Sequence, residues 1–163
     1  MKKAHTLAIY PGTFDPVTYG HIDLIRRALE HFERLLVGVA VNPEKGTLFS
    51  VDERVKMLKD ATRRWPAVRV VPFDGLVVKF ARTQRSRMII RGLRMLSDFE
   101  YEFQMALTNR KLDPGVETVY MMPSEGYSYV SSRLVKEAAA LGADVRKFVP
   151  PGAAKSLKEK LGR

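Results

Sequence analysis

The residues best suited to chemistry follow the first apolar run of the chain, within residues 10–21. Gly12 and Gly20 would let an anion approach the backbone, and Thr13 adds a hydroxyl and an amide. Gly20 and His21 fall at the expected start of a helix, where free N–H groups and the helix dipole favour a negatively charged ligand. The His21 ring can donate an N–H to a phosphate oxygen, although a single histidine can equally be an ordinary polar residue. The segment therefore predicts a phosphate site.

Further candidate phosphate ligands follow later apolar runs. Arg91 and Arg94 flank a Gly-Leu pair, and guanidinium groups form paired, charge-assisted hydrogen bonds with phosphate oxygens. Lys45 follows the second run, and Ser131 and Ser132 precede an amphipathic segment. Each of these three also has a simpler interpretation, as a solvated charge or as a helix cap. Four such loops in one chain favour a shared anion site.

Several common site types are missing from the sequence. No Gly-x-Gly-x-x-Gly follows the first run, and no Gly-x4-Gly-Lys-Ser/Thr occurs, so a different anion site is needed. The chain has no cysteine, and its histidines, at positions 5, 21 and 31, are too scattered to predict a zinc site. We expect no protein cage for a metal, because Mg²⁺ usually rides on substrate phosphates. Asp15, which precedes a proline, is interpreted as a turn-stabilising residue.

Apolar runs and amphipathic segments alternate along the chain. The runs predict strands at residues 6–10, 35–41, 68–71, 88–90 and 117–121. Residues 50–53 and 97–100 form capping boxes that open helices. The first of these helices is expected to bury Val51, Val55, Leu58, Ala61 and Trp65.

This alternation predicts a single α/β domain over residues 1–163, built on a doubly wound five-stranded parallel sheet, with residues 150–163 as a short helical tail. Ligands of such sheets bind beyond the carboxyl ends of the strands, where the strand order reverses. The candidate loops should therefore meet at one edge.

Composition narrows the class of partner. Lys and Arg number 28 against 18 Asp and Glu, and the net charge of +10 favours nucleotides, nucleic acid or phosphorylated metabolites without choosing among them. No apolar run approaches the roughly 18 residues that cross a bilayer, and no signal-peptide pattern is present. Together with the absence of cysteine, this predicts a soluble cytoplasmic protein.

Five motifs, in this order, resemble those of the phosphopantetheine adenylyltransferase family, within the nucleotidyltransferase superfamily. They are Tyr-Pro-Gly-Thr-Phe-Asp-Pro, Gly-His-Ile-Asp, Arg-Gly-Leu-Arg, Ser-Asp-Phe-Glu-Tyr-Glu and Ser-Ser-x-Leu-Val-Lys-Glu, within residues 8–150. The Thr-x-Gly-His match indicates only the superfamily. Arg-Gly-Leu-Arg followed by the acidic-aromatic motif narrows the resemblance to the family.

The resemblance implies a Rossmann-like fold and transfer of adenylate from ATP, with Mg²⁺, to 4′-phosphopantetheine, giving dephospho-coenzyme A and pyrophosphate. It makes His21, Lys45 and Arg91 the catalytic candidates. The implied ATP ligands are Thr13, Phe14, His21, Gly92, Leu93, Arg94, Glu102, Tyr127, Ser128, Tyr129, Val130, Ser131, Ser132 and Arg133. The implied acceptor ligands are Thr13, Lys45, Val77 and Arg91. It also implies a homohexamer, with coenzyme A as a candidate feedback ligand.

Three residues depart from the family pattern. Tyr19 stands where asparagine is common, Val77 where leucine or methionine is usual, and Arg133 where serine often occurs. These changes affect fit more than chemistry. They leave the detailed nucleotide contacts open, above all at Arg133.

Competing functions remain at this point. Another superfamily member would act on nicotinate mononucleotide or on a sugar or polyol phosphate, and a nucleotide-binding regulator would have no turnover. A nucleic-acid-binding module is suggested by the basic residues but lacks the usual recognition motifs, so we expect no nucleic-acid or membrane partner. For the transfer itself, direct in-line attack with His21 as a fixed donor is favoured over a covalent His21 intermediate.

Overall fold

A five-stranded parallel sheet forms the centre of the computed structural model, which describes residues 4–41 and 46–162. The strands are β1 (Ala4–Gly12), β2 (Phe32–Ala40), β3 (Val68–Phe73), β4 (Met88–Gly92) and β5 (Glu117–Met121). Their order is β3-β2-β1-β4-β5, with every neighbouring pair parallel. The chain moves outward from β1 to β3 and then returns to place β4 on the other side of β1. This confirms the doubly wound sheet and puts the reversal of strand order between β1 and β4.

Helices alternate with the strands. They are α1 (Tyr19–His31), α2 (Val51–Thr62), α3 (Val77–Thr83), α4 (Leu96–Leu112), α5 (Ser132–Ala140) and α6 (Pro151–Lys160), with a 3₁₀ turn at Glu125–Tyr127. Several strands extend beyond the apolar runs that predicted them, because pairing also recruits polar and turn-forming residues. Pro11 and Gly12, for example, pair with Gly38 and Val39 of β2. Within the described residues, no helix combines the length and apolar character that crossing a bilayer requires.

The two faces of the sheet carry separate apolar layers. In β2, Leu35, Val37 and Val39 join a large buried cluster with residues of α1, α2, α5 and α6. Leu36 points to the opposite face and joins a smaller cluster with α3. Burial on both faces explains the continuous apolar run of β2. Helix α4, which neighbours α3, keeps several apolar side chains exposed.

Side-chain caps open α2 and α5, as predicted. The Ser50 hydroxyl accepts the Glu53 backbone N–H at 3.2 Å, and the Glu53 carboxylate accepts the Ser50 N–H at 2.7 Å. At α5, the Ser131 hydroxyl accepts the Leu134 N–H at 3.1 Å. Both serines therefore satisfy N–H groups that have no partner inside the helix.

The capping box predicted at residues 97–100 is wrong. Helix α4 begins at Leu96, and its cap residue Met95 makes no side-chain cap bond. The Asp98 N–H instead reaches the Met95 carbonyl at 3.0 Å. Residue 97 therefore lies inside the first turn, where it cannot act as the cap.

The buried face of α2 is only partly the predicted one. Leu58 is buried as expected, but the other buried positions are Arg54, Met57 and Thr62. The predicted apolar residues beside Leu58 are only partly buried. Arg54 can be buried because its side chain finds carbonyl partners in the interior.

Candidate active site

A cleft of about 940 Å³ lies at the carboxyl ends of the strands, around the reversal between β1 and β4. Residues from the loops after all five strands line it, including residues 10–15, 73–77, 91–92, 94 and 130–133. This is the edge that the sequence predicted. A second cavity, of about 960 Å³ between α5 and α6, shares no lining residue with the cleft.

His21 is fixed by the residue that caps its own helix. The Thr18 backbone N–H donates to His21 Nδ1 at 3.0 Å, and the Thr18 hydroxyl lies 3.2 Å from the same nitrogen. In return the Thr18 hydroxyl accepts the His21 backbone N–H at 3.4 Å. Because Nδ1 is an acceptor, the neutral ring carries its proton on Nε2. The geometry thus assigns one tautomer to the ring.

Electrostatics keep this ring uncharged. Burial lowers the pKa of His21 to about 3, and the charges of Arg94 and Arg91 act in the same direction. At neutral pH the ring is therefore an uncharged N–H donor. It is neither a cation nor a base with a free lone pair. That is the form suited to stabilising negative charge without titrating.

Phe14 supports the ring of His21 from within the core. Its backbone is in the left-handed region, with φ of 53°, and its buried ring meets the His21 ring edge-to-face at 4.9 Å. A Cβ at Gly12 would lie 2.8 Å from the Phe14 ring. This packing therefore favours glycine at position 12, a role that the sequence alone does not indicate.

Arg91 is held by a buried carboxylate. Its Nε donates to Glu102 at 3.0 Å, a second guanidinium nitrogen donates to the other Glu102 oxygen, and Nη1 donates to the Pro11 carbonyl at 3.0 Å. Burial opposes the charge of Arg91, but the bonds to Glu102 and its negative charge raise the pKa above the usual value. The hydroxyl of Tyr120 donates to the Glu102 backbone carbonyl. Glu102 thus orients Arg91 across the β1–β4 boundary.

Arg94 is less completely engaged. Its Nη1 donates to the Val130 carbonyl at 3.2 Å, and its Nε lies 3.4 Å from Asp98. The side chain is 40% exposed, so part of the guanidinium faces the cleft. Arg94 therefore joins the loop after β4 to the segment that follows β5.

Asp15 lines the cleft and belongs to a framework that joins the segments around it. Its two oxygens accept the backbone N–H groups of Leu48 at 3.0 Å and Phe49 at 2.9 Å, and Lys136 donates to it at 2.5 Å. Asp15, interpreted from sequence as stabilising its own turn, instead joins the loop after β1 to the segment before α2 and to α5. No local pattern indicates this role.

Arg54 completes this framework and was also missed. Its guanidinium donates to the carbonyls of Thr13 at 2.7 Å, Ala40 at 3.0 Å and Phe49 at 3.2 Å, and the residue is 2% exposed. Burial lowers its pKa, while the charge of Asp15 opposes that effect. The sequence shows Arg54 only as one of many cations on an amphipathic helix.

Most predicted site residues meet in the cleft. The residues that line it are Thr13, Phe14, His21, Val77, Arg91, Gly92, Arg94, Glu102, Tyr127, Val130, Ser131, Ser132 and Arg133. Leu93, Ser128 and Tyr129 are not among the lining residues; Leu93 donates its N–H to the Met121 carbonyl at 3.1 Å. Lys45 lies outside the described residues. The structure therefore joins His21 and both arginines in one cavity.

The fold and site together define a nucleotidyltransferase-like protein. The observations are the strand order, the basic and glycine-containing loops at the carboxyl ends of the strands, and the histidine at the start of α1. A family model described as cytidylyltransferase-like matches residues 9–138. The fold also resembles the crystal structure of a Vibrio parahaemolyticus protein described as a candidate nicotinate-nucleotide adenylyltransferase. The TM-score is 0.69, with 97% of this chain and 95% of the other covered, at 17% identity. That likeness concerns the fold alone.

Sequence comparison identifies the particular family. A phosphopantetheine adenylyltransferase from Caldanaerobacter subterraneus subsp. tengcongensis is 54% identical over 94% of this chain and 96% of its own. Proteins of the same name from Acidovorax sp. (strain JS42) and Azoarcus sp. (strain BH72) are 51% and 52% identical, over 98% and 95% of this chain and 97% and 95% of theirs. The chain belongs to the phosphopantetheine adenylyltransferase family.

Proposed function

We propose that this protein transfers the adenylyl group of ATP to 4′-phosphopantetheine, giving dephospho-coenzyme A and pyrophosphate in coenzyme A biosynthesis. The names of its relatives support the reaction. The observation that carries the proposal is the cleft itself, in which the neutral His21 ring and the guanidinium groups of Arg91 and Arg94 line one cavity. Such a site suits two anionic reactants.

The acceptor is itself a phosphate, so it needs no base to become a nucleophile. Its oxygen attacks the α-phosphorus of ATP, the bond from that phosphorus to the bridging oxygen breaks, and pyrophosphate leaves with the bond's electrons. The protein contributes positioning and charge neutralisation. His21, as a neutral donor, would stabilise charge developing on the transferred phosphoryl group.

The His21 hydrogen bonds support direct transfer over a covalent intermediate. A histidine nucleophile needs a free nitrogen lone pair, but Nδ1 accepts the Thr18 N–H and Nε2 carries the proton. Incubation with α-labelled ATP and no acceptor tests this proposal. Label that remains on the denatured protein would reject direct transfer.

We assign ligands to the two reactants by their family positions, whether or not the residue lines the cleft. The ATP ligands would be Thr13, Phe14, His21, Gly92, Leu93, Arg94, Glu102, Tyr127, Ser128, Tyr129, Val130, Ser131, Ser132 and Arg133. The acceptor ligands would be Thr13, Lys45, Val77 and Arg91. The paired hydrogen bonds between Glu102 and Arg91 support a further role for Glu102, as the residue that orients Arg91.

Mg²⁺ would enter with ATP and, when bound, would neutralise phosphate charge. Among the described residues, no three His, Cys, Asp or Glu side chains are grouped so that they could hold a metal ion. The cleft carboxylates of Asp15, Asp74 and Glu102 accept hydrogen bonds from protein donors, and that of Asp98 lies 3.4 Å from Arg94 Nε. This donor set fits a cation held through the nucleotide's phosphates rather than by a protein cage.

Three further properties belong to the same proposal. The protein would form a homohexamer, a state supported by the exposed apolar residues of α4. Coenzyme A would compete with the acceptor, because the two share the pantetheine group. The absence of cysteine supports work in the reducing cytoplasm.

The deciding experiment supplies ATP and Mg²⁺ with a panel of acceptors and measures both pyrophosphate and the adenylylated product. We expect dephospho-coenzyme A from 4′-phosphopantetheine, and turnover at least about a hundredfold lower with nicotinate mononucleotide or a sugar phosphate, because buried groups built for one acceptor stay unpaired with another. Preference for another acceptor would reject the proposed substrate. Absence of pyrophosphate with every acceptor would favour a regulatory nucleotide binder.

A further inference from the structure

Asp23 of α1 forms two hydrogen bonds with the segment that follows β5. One carboxylate oxygen accepts the Ser124 backbone N–H at 2.8 Å, and the other accepts the Ser124 hydroxyl at 3.0 Å. The residue is 7% exposed, and Arg26 donates to it at 3.2 Å from the solvent side. Because both donors of Ser124 bind one buried, charged acceptor, the position of Ser124 is fixed relative to α1.

A series of backbone hydrogen bonds leads from Ser124 to the cleft. The Ser124 carbonyl accepts the Tyr127 N–H at 2.9 Å, and the Tyr127 carbonyl accepts the Val130 N–H at 3.1 Å. The Val130 carbonyl then accepts Arg94 at 3.2 Å. Tyr127 also passes close to the start of α1, since its carbonyl oxygen lies 3.6 Å from where a Cβ at Gly20 would stand. Asp23 is therefore the first residue in a series of contacts that positions residues 124–130 at the cleft.

We propose that Asp23 is a positioning residue for the nucleotide, acting through Ser124 to hold residues 127–130 against the cleft. The inference rests on the proposed function for the assignment of this segment to ATP. Asp23 itself is not among the residues that line the cleft. Its loss should therefore affect the binding of ATP and leave the acceptor and the chemical step largely unchanged.

Asp23→Asn tests the proposal with little change in volume. An amide keeps one oxygen for the Ser124 N–H but places an uncharged N–H₂ beside the Ser124 hydroxyl and the Arg26 guanidinium. The hydroxyl must then accept instead of donate, so its hydrogen bond to a charged group is lost, and the N–H₂ faces the Arg26 donor. We expect the KM for ATP to rise about tenfold, the scale of one hydrogen bond to a charged group. The KM for the acceptor and kcat should stay within about twofold of wild type. An equal rise in both KM values, or a fall in kcat alone, would overturn the proposal.

Two companion variants separate positioning from folding. Ser124→Ala removes only the hydroxyl donor, and we expect the KM for ATP to rise about threefold, as for a weaker single bond. Arg26→Gln removes the solvent-side partner of Asp23, together with an exposed ion pair to Glu30, and should behave as wild type. If Asp23→Asn fails to fold, an unchanged KM for ATP in Ser124→Ala would still overturn the proposal.

Hydrogen exchange provides a measurement that needs no turnover. In Asp23→Asn, amides of residues 124–130 should exchange about tenfold faster, while those of the central strands exchange at the wild-type rate. Unchanged exchange in this segment, together with wild-type affinity for ATP by calorimetry, would reject the role of Asp23. If the wild-type protein made no product, the proposed function would fail, and exchange and ATP binding would still decide the role of Asp23.

Discussion

His21 shows how a neighbouring residue can prepare one ring for chemistry. Thr18 occupies the Nδ1 lone pair, and burial among cations keeps the ring neutral. A donor that is already oriented needs no reorganisation when negative charge develops beside it. Arg91 is prepared in the same way by Glu102, so two of the principal side chains are fixed before any ligand arrives.

Removing the His21 ring should slow the chemical step. We expect His21→Ala to lower kcat by roughly 10²–10³, the scale observed when one such donor is lost. The matched control is His31→Ala, which removes an exposed histidine from the end of the same helix. Steady-state assays with each substrate varied in turn measure both variants. Near-normal kcat in His21→Ala would reject the donor role.

The lowered pKa of His21 also predicts a pH response. Because the pKa falls from 6.5 to about 3, the unfolded chain binds a proton below pH 6.5 that the folded ring does not. Folding stability should therefore decline as the pH falls through 6.5, since the unfolded state binds more protons. Urea denaturation of wild type and His21→Gln measures this, and the wild type should lose more stability between pH 7 and pH 5.

An NMR titration supplies the direct control. The His21 imidazole should remain the neutral Nε2–H tautomer from pH 8 to pH 5 in the folded protein, and it should titrate in urea. A mid-range titration of His21 in the folded protein would contradict the electrostatic account.

The sequence shows which cleft residues are chemically competent but not what orients them. His21, Arg91 and Arg94 are recognisable because their types, placed after strands, suit phosphate. Asp15 and Lys136, by contrast, are 121 positions apart, and only the folded chain brings them together. Arg54 is recognisable only from the three carbonyls around it. Side chains that orient other groups depend on tertiary contacts, which local pattern does not encode.

At the scale of elements, local sequence patterns predicted helix starts correctly where a serine side chain caps the free backbone N–H groups. Ser50 caps α2 as predicted, and Ser131, one of the two serines that could cap α5, is the one that does so. The similar pattern at residues 97–100 failed because α4 already begins at Leu96, with Met95 as its cap residue. The order of helices and strands was therefore predictable. Their exact ends were not predictable where a backbone hydrogen bond started the helix or where sheet pairing lengthened the strand.

The two serine caps provide a matched pair of tests. Ser50→Ala and Ser131→Ala should each lower the free energy of unfolding by about 1 kcal/mol, because each leaves a helix N–H unsatisfied. Only Ser131 lines the cleft, so only Ser131→Ala should also raise the KM for ATP. Urea denaturation and steady-state kinetics separate the two effects. An equal change in KM for both variants would indicate a loss of stability and not a role in ATP binding.

At the scale of the whole molecule, the layers on the two faces of the sheet are unequal. The face with α1, α2, α5 and α6 buries the larger apolar cluster, while the buried helical residues of the smaller apolar cluster come from α3. Leu96, Phe99, Phe103 and Leu107 of α4 recur at intervals of three or four residues and are each at least 47% exposed. The rings of Phe99 and Phe103 stack at 5.7 Å. This spacing places them along one side of the helix, where a second copy of the chain could cover them.

A charge in this stripe should therefore disrupt assembly. A hexamer of 18.5 kDa chains has a mass of about 111 kDa, six times 18.5, and we expect Phe103→Asp to give a smaller species because an unpaired carboxylate would be buried at the contact. Light scattering coupled to size-exclusion chromatography measures the mass. Leu141→Asp, at an 86% exposed leucine beyond the end of α5, is the control and should keep the wild-type mass. A monomeric wild type would contradict the hexamer, and an unchanged mass in Phe103→Asp would place the contact elsewhere on the molecule.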